Sequence, residues 1–456
     1  MKYLTMMVAV AAAIVTALSM AMEPQFKTYS LFTIGFVNVN PFDVVIGGAV
    51  FLLLVRNALH LSPDPVTSNR YVLWLCAAYV CYQLFVVLPM AVLGHGLRPI
   101  DVVRQQEVRL FIILVPFFYS MVLRYWRPSV VIALFDAAAA GLALWVFYKY
   151  KTTGGAGYWD GDVYRLRAAW GGTTLLFGWL VFTSLFFWPA RLWRLAPAVL
   201  GGGALLLVNH RSGIIALLLG LIVQLIAMRG VAKRAAIAFA VFAALGVGVL
   251  LSSAYVRHSI AYSLGTLFNP RADPNAGDRV TRSLMGLAYF QHHLFGDYIW
   301  NQAYYLVNLG KEGFEPHNFA VQLLVTQGVV ATGLYLAPVA VVFVLAWRNR
   351  AERQSSVMLA YLSFYMMFCL LNTNIDSIEN VALLYVPMAL VLDVNRRLCL
   401  ARESARLEGR QGVNGQGESA AADILPERFH PVRRQSGMSP AAPRLRGHSA
   451  QGRLTF

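Results

Sequence analysis

For most of its length the chain alternates between long apolar stretches and short polar gaps, and the apolar stretches carry no polar stripe of either helical or strand period. A hydrocarbon layer about 30 Å thick is crossed by about 20 apolar residues at about 1.5 Å per residue. On that ruler the runs fall at residues 3–20, 42–59, 71–93, 108–123, 129–147, 168–188, 195–208, 213–228, 231–251, 319–347, 357–371 and 378–392. The pattern predicts an all-α polytopic membrane protein of about 12 transmembrane helices. Its one long interruption, residues 252–316, is predicted to be a large loop carrying short helices. The first run follows Lys2 in the manner of a signal peptide, but it lacks a convincing cleavage site and further spans follow, so it is predicted to stay as a helix.

Charge fixes the orientation. Arg56 and Arg70, Arg124 and Arg127, Arg191 and Arg194, the group Arg229, Lys233 and Arg234, the group Arg348, Arg350 and Arg353, and the tail from Arg396 occupy alternate gaps. Basic residues collect in cytoplasmic loops, which predicts both termini in the cytoplasm and the segment 252–316 outside, in the periplasm of a bacterial inner membrane. Composition agrees: 58% of residues are hydrophobic and only 13% charged, too little polar surface to cover a soluble globule. The net charge of +16 is thereby assigned to membrane topology rather than to nucleic acid. A membrane domain over 1–395 and a disordered basic cytoplasmic tail over 396–456, rich in Gly, Ser, Ala, Pro and Arg, complete the predicted organisation. Cys76, Cys81, Cys369 and Cys399 form no CxxC pair, and no nucleotide-binding loop is present, so neither metal nor cofactor is expected.

Candidate chemistry lies in three polar clusters, all on the predicted outer face. The turn Asn209-His210-Arg211-Ser212-Gly213 opens an apolar run with an arginine that the orientation rule does not call for. A guanidinium beside the free N–H groups of a helix start suits an anion such as a phosphate. In the long outer segment, the apolar spacing from Arg279 to Phe290 predicts a helix with Arg279 and Arg282 a turn apart on one face, a geometry able to clamp a diphosphate. The third cluster, Glu315-Pro316-His317-Asn318-Phe319, precedes the run that re-enters the membrane. Proline in a first helical turn would set His317 at the positive end of a helix dipole, which lowers its pKa and keeps the imidazole neutral as a general base. Each cluster has a structural alternative: a snorkelling arginine, ion pairs to Asp278 or Asp297, an interfacial histidine. His292 and His293 are adjacent and His258 has no partner at a ligand interval, so no metal site is expected.

In this order and spacing the clusters resemble the O-antigen ligase and polysaccharide polymerase superfamily of bacterial inner-membrane proteins. The features that match are His210-Arg211-Ser212-Gly213 opening an apolar helix, the stretch from Arg279 through His292-His293-Leu294-Phe295-Gly296, and Pro316-His317-Asn318 followed by Gln322-Leu323-Leu324 and Gly328. Asn40-Pro41-Phe42-Asp43 ahead of a span also resembles the family's N-terminal region. The chain departs from the pattern at His293, where proline is common, and at Asp297 and Tyr298, where a second glycine usually follows.

The resemblance implies a metal-independent, inverting glycosyl transfer on the periplasmic side. The donor would be a glycan on undecaprenyl diphosphate, and the acceptor a sugar hydroxyl on lipid A–core (a ligase) or on a second lipid-linked glycan (a polymerase). His317, Arg211 and Arg279 would be catalytic, with Arg282, Ser212, Asn318 and His210 binding substrate. The partners expected are those lipids and the bilayer, with no nucleic acid. The rival reading is a lipid-linked glycan flippase, but a transporter carries charged groups along a mid-membrane pathway, and here only Asp136 and Asp393 interrupt the spans.

Overall fold

The computed structural model describes residues 1–22, 32–34, 37–58, 66–95, 110–152, 158–160, 163–165, 172–188, 195–208, 211–227, 274–296, 318–372 and 378–414. The helices are α1 (Lys2–Met22), α2 (Pro41–Ala58), α3 (Thr67–Gly94), α4 (Phe111–Tyr125), α5 (Pro128–Thr152), α6 (Thr173–Phe187), α7 (Leu195–Val208) and α8 (Arg211–Ala227). They continue as α9 (Pro274–His292), α10 (Phe319–Arg348), α11 (Arg353–Leu370) and α12 (Ile378–Asn414). Every predicted apolar run coincides with one of them except 231–251, which lies outside the described residues, as does most of the long loop. The described part of that segment forms α9, at 19 residues longer than the short helices expected there. Two antiparallel hairpins of three-residue strands, Phe32–Ile34 with Val37–Val39 and Tyr158–Asp160 with Val163–Arg165, are the departure from an all-helical chain.

Among the described residues, α1, α3, α5 and α10 are long and apolar enough to cross a membrane, while α4, α6, α7 and α8 are shorter apolar helices. These sequences are apolar on every side, as befits helices bathed in lipid or buried among neighbours, and the protein is a membrane protein. The chain divides into a large unit, Met1–Arg402, and a second, Glu403–Phe456. In the second unit α12 is still helical to Asn414, past the point where disorder was expected.

Local sequence explains the helix starts. Asn40 accepts hydrogen bonds from the N–H groups of Phe42 and Asp43 at 2.8 and 2.9 Å, and Asp43 accepts one from the Asn40 N–H at 2.7 Å. This is a reciprocal cap with Pro41 in the first turn, where its missing N–H costs nothing. At α10 the cap is Asn318, whose Oδ1 accepts from the N–H groups of Ala320 (3.0 Å) and Val321 (3.3 Å). The first helical residue is therefore Phe319, and Pro316 lies upstream of the cap rather than in the first turn.

Polar side chains knit the arginine-bearing ends. Asn395 donates to Ser68 and Asn69, Asn349 donates to Asn395, and Asn69 donates to Tyr119 and to the Leu392 carbonyl. Asp393 is ion-paired with Arg396 at 2.6 Å and Arg397 at 3.0 Å. Arg353 donates to the carbonyls of Phe186 and Trp188. At mid-span, Asp136 accepts from Thr183 Oγ1 at 2.6 Å and from Trp188 Nε1 at 2.7 Å. The ends predicted to be cytoplasmic thus come together at one end of the bundle.

α8 and α11 run antiparallel. Ser212 meets Asn372 at one end, and Gln224 meets Ser356 at the other. Glycine lets them touch, since a Cβ on Gly220 would sit 2.9 Å from the Ala360 carbonyl oxygen. Close approach through small residues is how helices gain contact in lipid, where no hydrophobic drive separates helix from solvent.

One expected span is broken. Gly328 has φ 74°, and the rings of Phe319 and Tyr335 lie 6.1 Å apart. A straight helix would hold those two residues about 24 Å apart. The chain therefore doubles back at Gly328, into a short arm 319–327 and a long arm 329–348. The long arm, at about 30 Å, is still long enough to span. The cause is backbone crowding: a Cβ on Gly328 would lie 2.2 Å from the Phe295 carbonyl carbon, and one on Gly296 (φ 76°) 2.4 Å from the Gly328 nitrogen. Gly328→Ala is expected to lower stability by more than about 1 kcal/mol, and Gly47→Ala, with open space around its Cβ, to leave it unchanged or slightly raised. Thermal unfolding in detergent checks both.

Candidate functional site

The described parts of the polar clusters singled out in the sequence lie on elements that meet at the bundle end opposite the knitted arginines. Arg211 is the first residue of α8. Its neighbour Ser212 is buried and accepts a 2.6 Å hydrogen bond from Asn372 Nδ2, which also donates to the Phe368 carbonyl at 2.9 Å. One residue earlier, the Leu371 carbonyl accepts from Arg279 Nη1 at 3.2 Å. Two consecutive residues at the end of α11 therefore hold the start of α8 and the head of α9. The Leu371 carbonyl lies at the negative end of the α11 dipole, which favours a guanidinium there.

α9 forms where the amphipathic spacing predicts it. Arg279 and Arg282, three residues apart, share a face with buried Gly286, and both side chains are partly buried. Toward its other end Met285, Tyr289 and Phe290 pack against Val321 and Val325 on the short arm of α10. Beyond the helix, the Val329 N–H donates to the Leu294 carbonyl at 2.9 Å. His293 stacks on Tyr289 with ring centroids 4.2 Å apart. α9 thus bridges from the α8–α11 junction to the arm that starts at Asn318, the residue after His317.

Of the predicted residues, Ser212 and Arg279 are brought together through Asn372 and Leu371. Arg282 lies on the same face of α9 as Arg279. Asn318 stands at the head of the short arm with its side-chain oxygen engaged in the cap. His210 and His317 lie outside the described residues, and the Arg211 side chain is not described. Among the described residues no group of three or more His, Cys, Asp or Glu side chains could hold a metal ion.

Sequence reasoning passed over Asn372 and Gln327 and gave Gln322 only as part of a motif, and the structure puts all three beside these elements. Asn372 is buried at the α8–α11 junction. Gln327, next to the Gly328 break, accepts from Tyr79 Oη at 2.9 Å and from Gln83 Nε2 at 3.1 Å, and Gln83 opens a π-helical stretch of α3. Such bulges often mark functional positions. Gln322 is fully buried, and neither of its amide atoms has a partner among the described residues. A polar side chain in an apolar run was the available signal in each case.

No protein-family model matches the chain, and no curated protein matches it.

Asn372→Ala is expected to lower stability by about 1 kcal/mol through loss of its bonds to Ser212 and the Phe368 carbonyl. Ser212→Ala is expected to cost less, because Asn372 keeps the second bond. The double variant should resemble Asn372→Ala alone in unfolding midpoint, and fully additive losses would contradict the pairing.

Proposed function

We propose that the protein is a membrane glycosyltransferase of the O-antigen ligase or polysaccharide polymerase type, acting on the periplasmic side of a bacterial inner membrane. The observation that carries the reading is the meeting of the Arg211-Ser212 turn and Arg279 on Leu371 and Asn372, with α9 reaching from there to the arm that His317 precedes. Motifs scattered over a hundred residues of chain then serve one volume.

In this reading the donor is a glycan on a polyprenyl diphosphate. Arg211 and Arg279, with Arg282 beside them, face the diphosphate and stabilise the negative charge that grows as the bond from the anomeric carbon to the phosphate oxygen breaks. His317 takes the proton from the acceptor hydroxyl as that oxygen forms its bond to the anomeric carbon from the opposite side, which inverts the centre. The electron pair of the broken bond leaves with the lipid diphosphate, so no nucleotide is needed. Ser212, His210 and Asn318 help position the substrates. The acceptor, lipid A–core or a second lipid-linked glycan, decides between ligase and polymerase.

The two intramembrane carboxylates weigh against a flippase. Asp136 is held by Thr183 and Trp188, and Asp393 by Arg396 and Arg397. Asp136 thereby joins α5 to the end of α6 and Asp393 is neutralised within α12, whereas a transport pathway calls for ionisable groups that meet the cargo.

His317→Ala is expected to reduce glycan transfer by about 10²–10⁴-fold in purified protein supplied with a lipid-linked donor, while its thermal unfolding stays that of the parent. Transfer at the parental rate would remove His317 from the mechanism. With a chelator present the parent protein should transfer at an unchanged rate, and a complete loss that zinc or magnesium restores would contradict the metal-independent scheme.

A further inference from the structure

α9 lies across the end of the bundle rather than along it. Near its head, Arg279 is bonded to the last turn of α11 through Leu371, and just past its tail Leu294 is bonded to Val329 at the top of the long arm of α10. Both anchors are at the same end of their helices, so α9 is held at that end of the bundle.

Around that axis the sequence divides into three faces. Arg279, Arg282 and Gly286, spaced i, i+3 and i+7, turn toward the bundle. Thr281, Ala288 and His292 form an exposed small and polar face. The remaining face, at i, i+4, i+7 and i+11, is Val280, Leu284 and Leu287, which are 60%, 61% and 38% exposed, with exposed Gln291 following them at the end of the helix. A helix buried on one side against a soluble protein has two faces, apolar inward and polar outward. A third, laterally exposed apolar face fits a helix at the rim of a membrane domain.

The strip does not end with the helix. Leu294 and Phe295 are also exposed, and the Leu294 bond to Val329 joins them to exposed Val329 and Val330 at the head of a membrane-spanning arm. We infer that α9 is an interfacial helix whose Val280–Leu284–Leu287 edge is seated in the acyl chains of the adjacent leaflet, with its arginines turned under toward the bundle. Continuity with the span selects lipid as the occupant, since the same strip that begins beside the hydrocarbon runs onto the helix. An apolar strip of this length left in water would be costly. The seating of α9 does not depend on the chemistry proposed above. On that reading, it makes α9 a roof under whose lipid-set edge a lipid-borne substrate reaches Arg279 and Arg282 without leaving the bilayer.

The test uses the full chain in nanodiscs of phosphatidylethanolamine and phosphatidylglycerol, with Cys81→Ser and Cys399→Ser removing the two cysteines that are not buried. Nitroxide labels are placed one at a time at Val280→Cys, Leu284→Cys, Leu287→Cys, Thr281→Cys and Ala288→Cys, and collision with oxygen is compared with collision with a water-soluble nickel chelate. The expected result is an oxygen-to-nickel ratio several-fold higher at 280, 284 and 287 than at 281 and 288. Equal ratios at all five positions would overturn the inference, because the edge would then lie in water. Low collision with both reagents at 284 together with spin–spin broadening would also overturn it, by showing a second copy of the chain on the strip.

Discussion

The close approach of Gly296 to Gly328 holds the rest of the arrangement. Where these two backbones meet there is no room for a side chain on either, and both residues adopt the positive φ that glycine takes without strain. The contact stops α10 from continuing as a straight rod, and it fixes the far end of α9. With that end fixed and the near end held at Leu371, the helix carrying Arg279 and Arg282 has a defined course over the end of the bundle. The short arm of α10 is pressed between α9 and Tyr335.

The two ends of the bundle solve different problems. At the arginine-bearing end, asparagines, a glutamine and ion pairs satisfy one another and tie α3, α4, α10, α11 and α12 together. Such a network is the usual answer to polar groups at a membrane edge, because an unpaired one is costly there. At the opposite end the described polar groups come from segments distant in sequence, and Gln322 is buried without a partner among the described residues. On the reading proposed above, that end serves a polar substrate.

Much of the architecture was legible because lipid imposes a simple rule: a stretch that must lie in hydrocarbon is apolar throughout, and its length reports the crossing. Among the described helices α1, α3 and α5 are long and apolar enough to cross and α4, α6, α7 and α8 are shorter apolar helices, and the apolar spacing from Arg279 to Phe290 announced α9. The break in α10 was hidden because its cause lies elsewhere in the chain. Gly328 stands in a motif, but nothing in the run around it announces a turn until Phe295 and Gly296 are seen against it. Pro316 looked like a helix start, but Asn318 supplies the cap, since a side-chain oxygen two residues before the first free N–H groups is the stronger terminator. Three-residue strands such as Phe32–Ile34 are too short to leave an alternating pattern. For the site, residue type was enough to pick out Ser212 and Arg279, whereas Asn372 and Gln322 sit in apolar surroundings and acquire meaning only from what lies beside them.

The account stands on the α9 end and the arginine-rich end facing opposite sides of the membrane. The most direct measurement is labelling of single cysteines by a membrane-impermeant thiol reagent in sealed cells. His292→Cys, on the exposed face of α9, should react with the reagent added outside, and Arg350→Cys only after the membrane is permeabilised. Reaction of both from the same side would contradict the account, because the arginines of α9 and the loop arginines would then share one compartment.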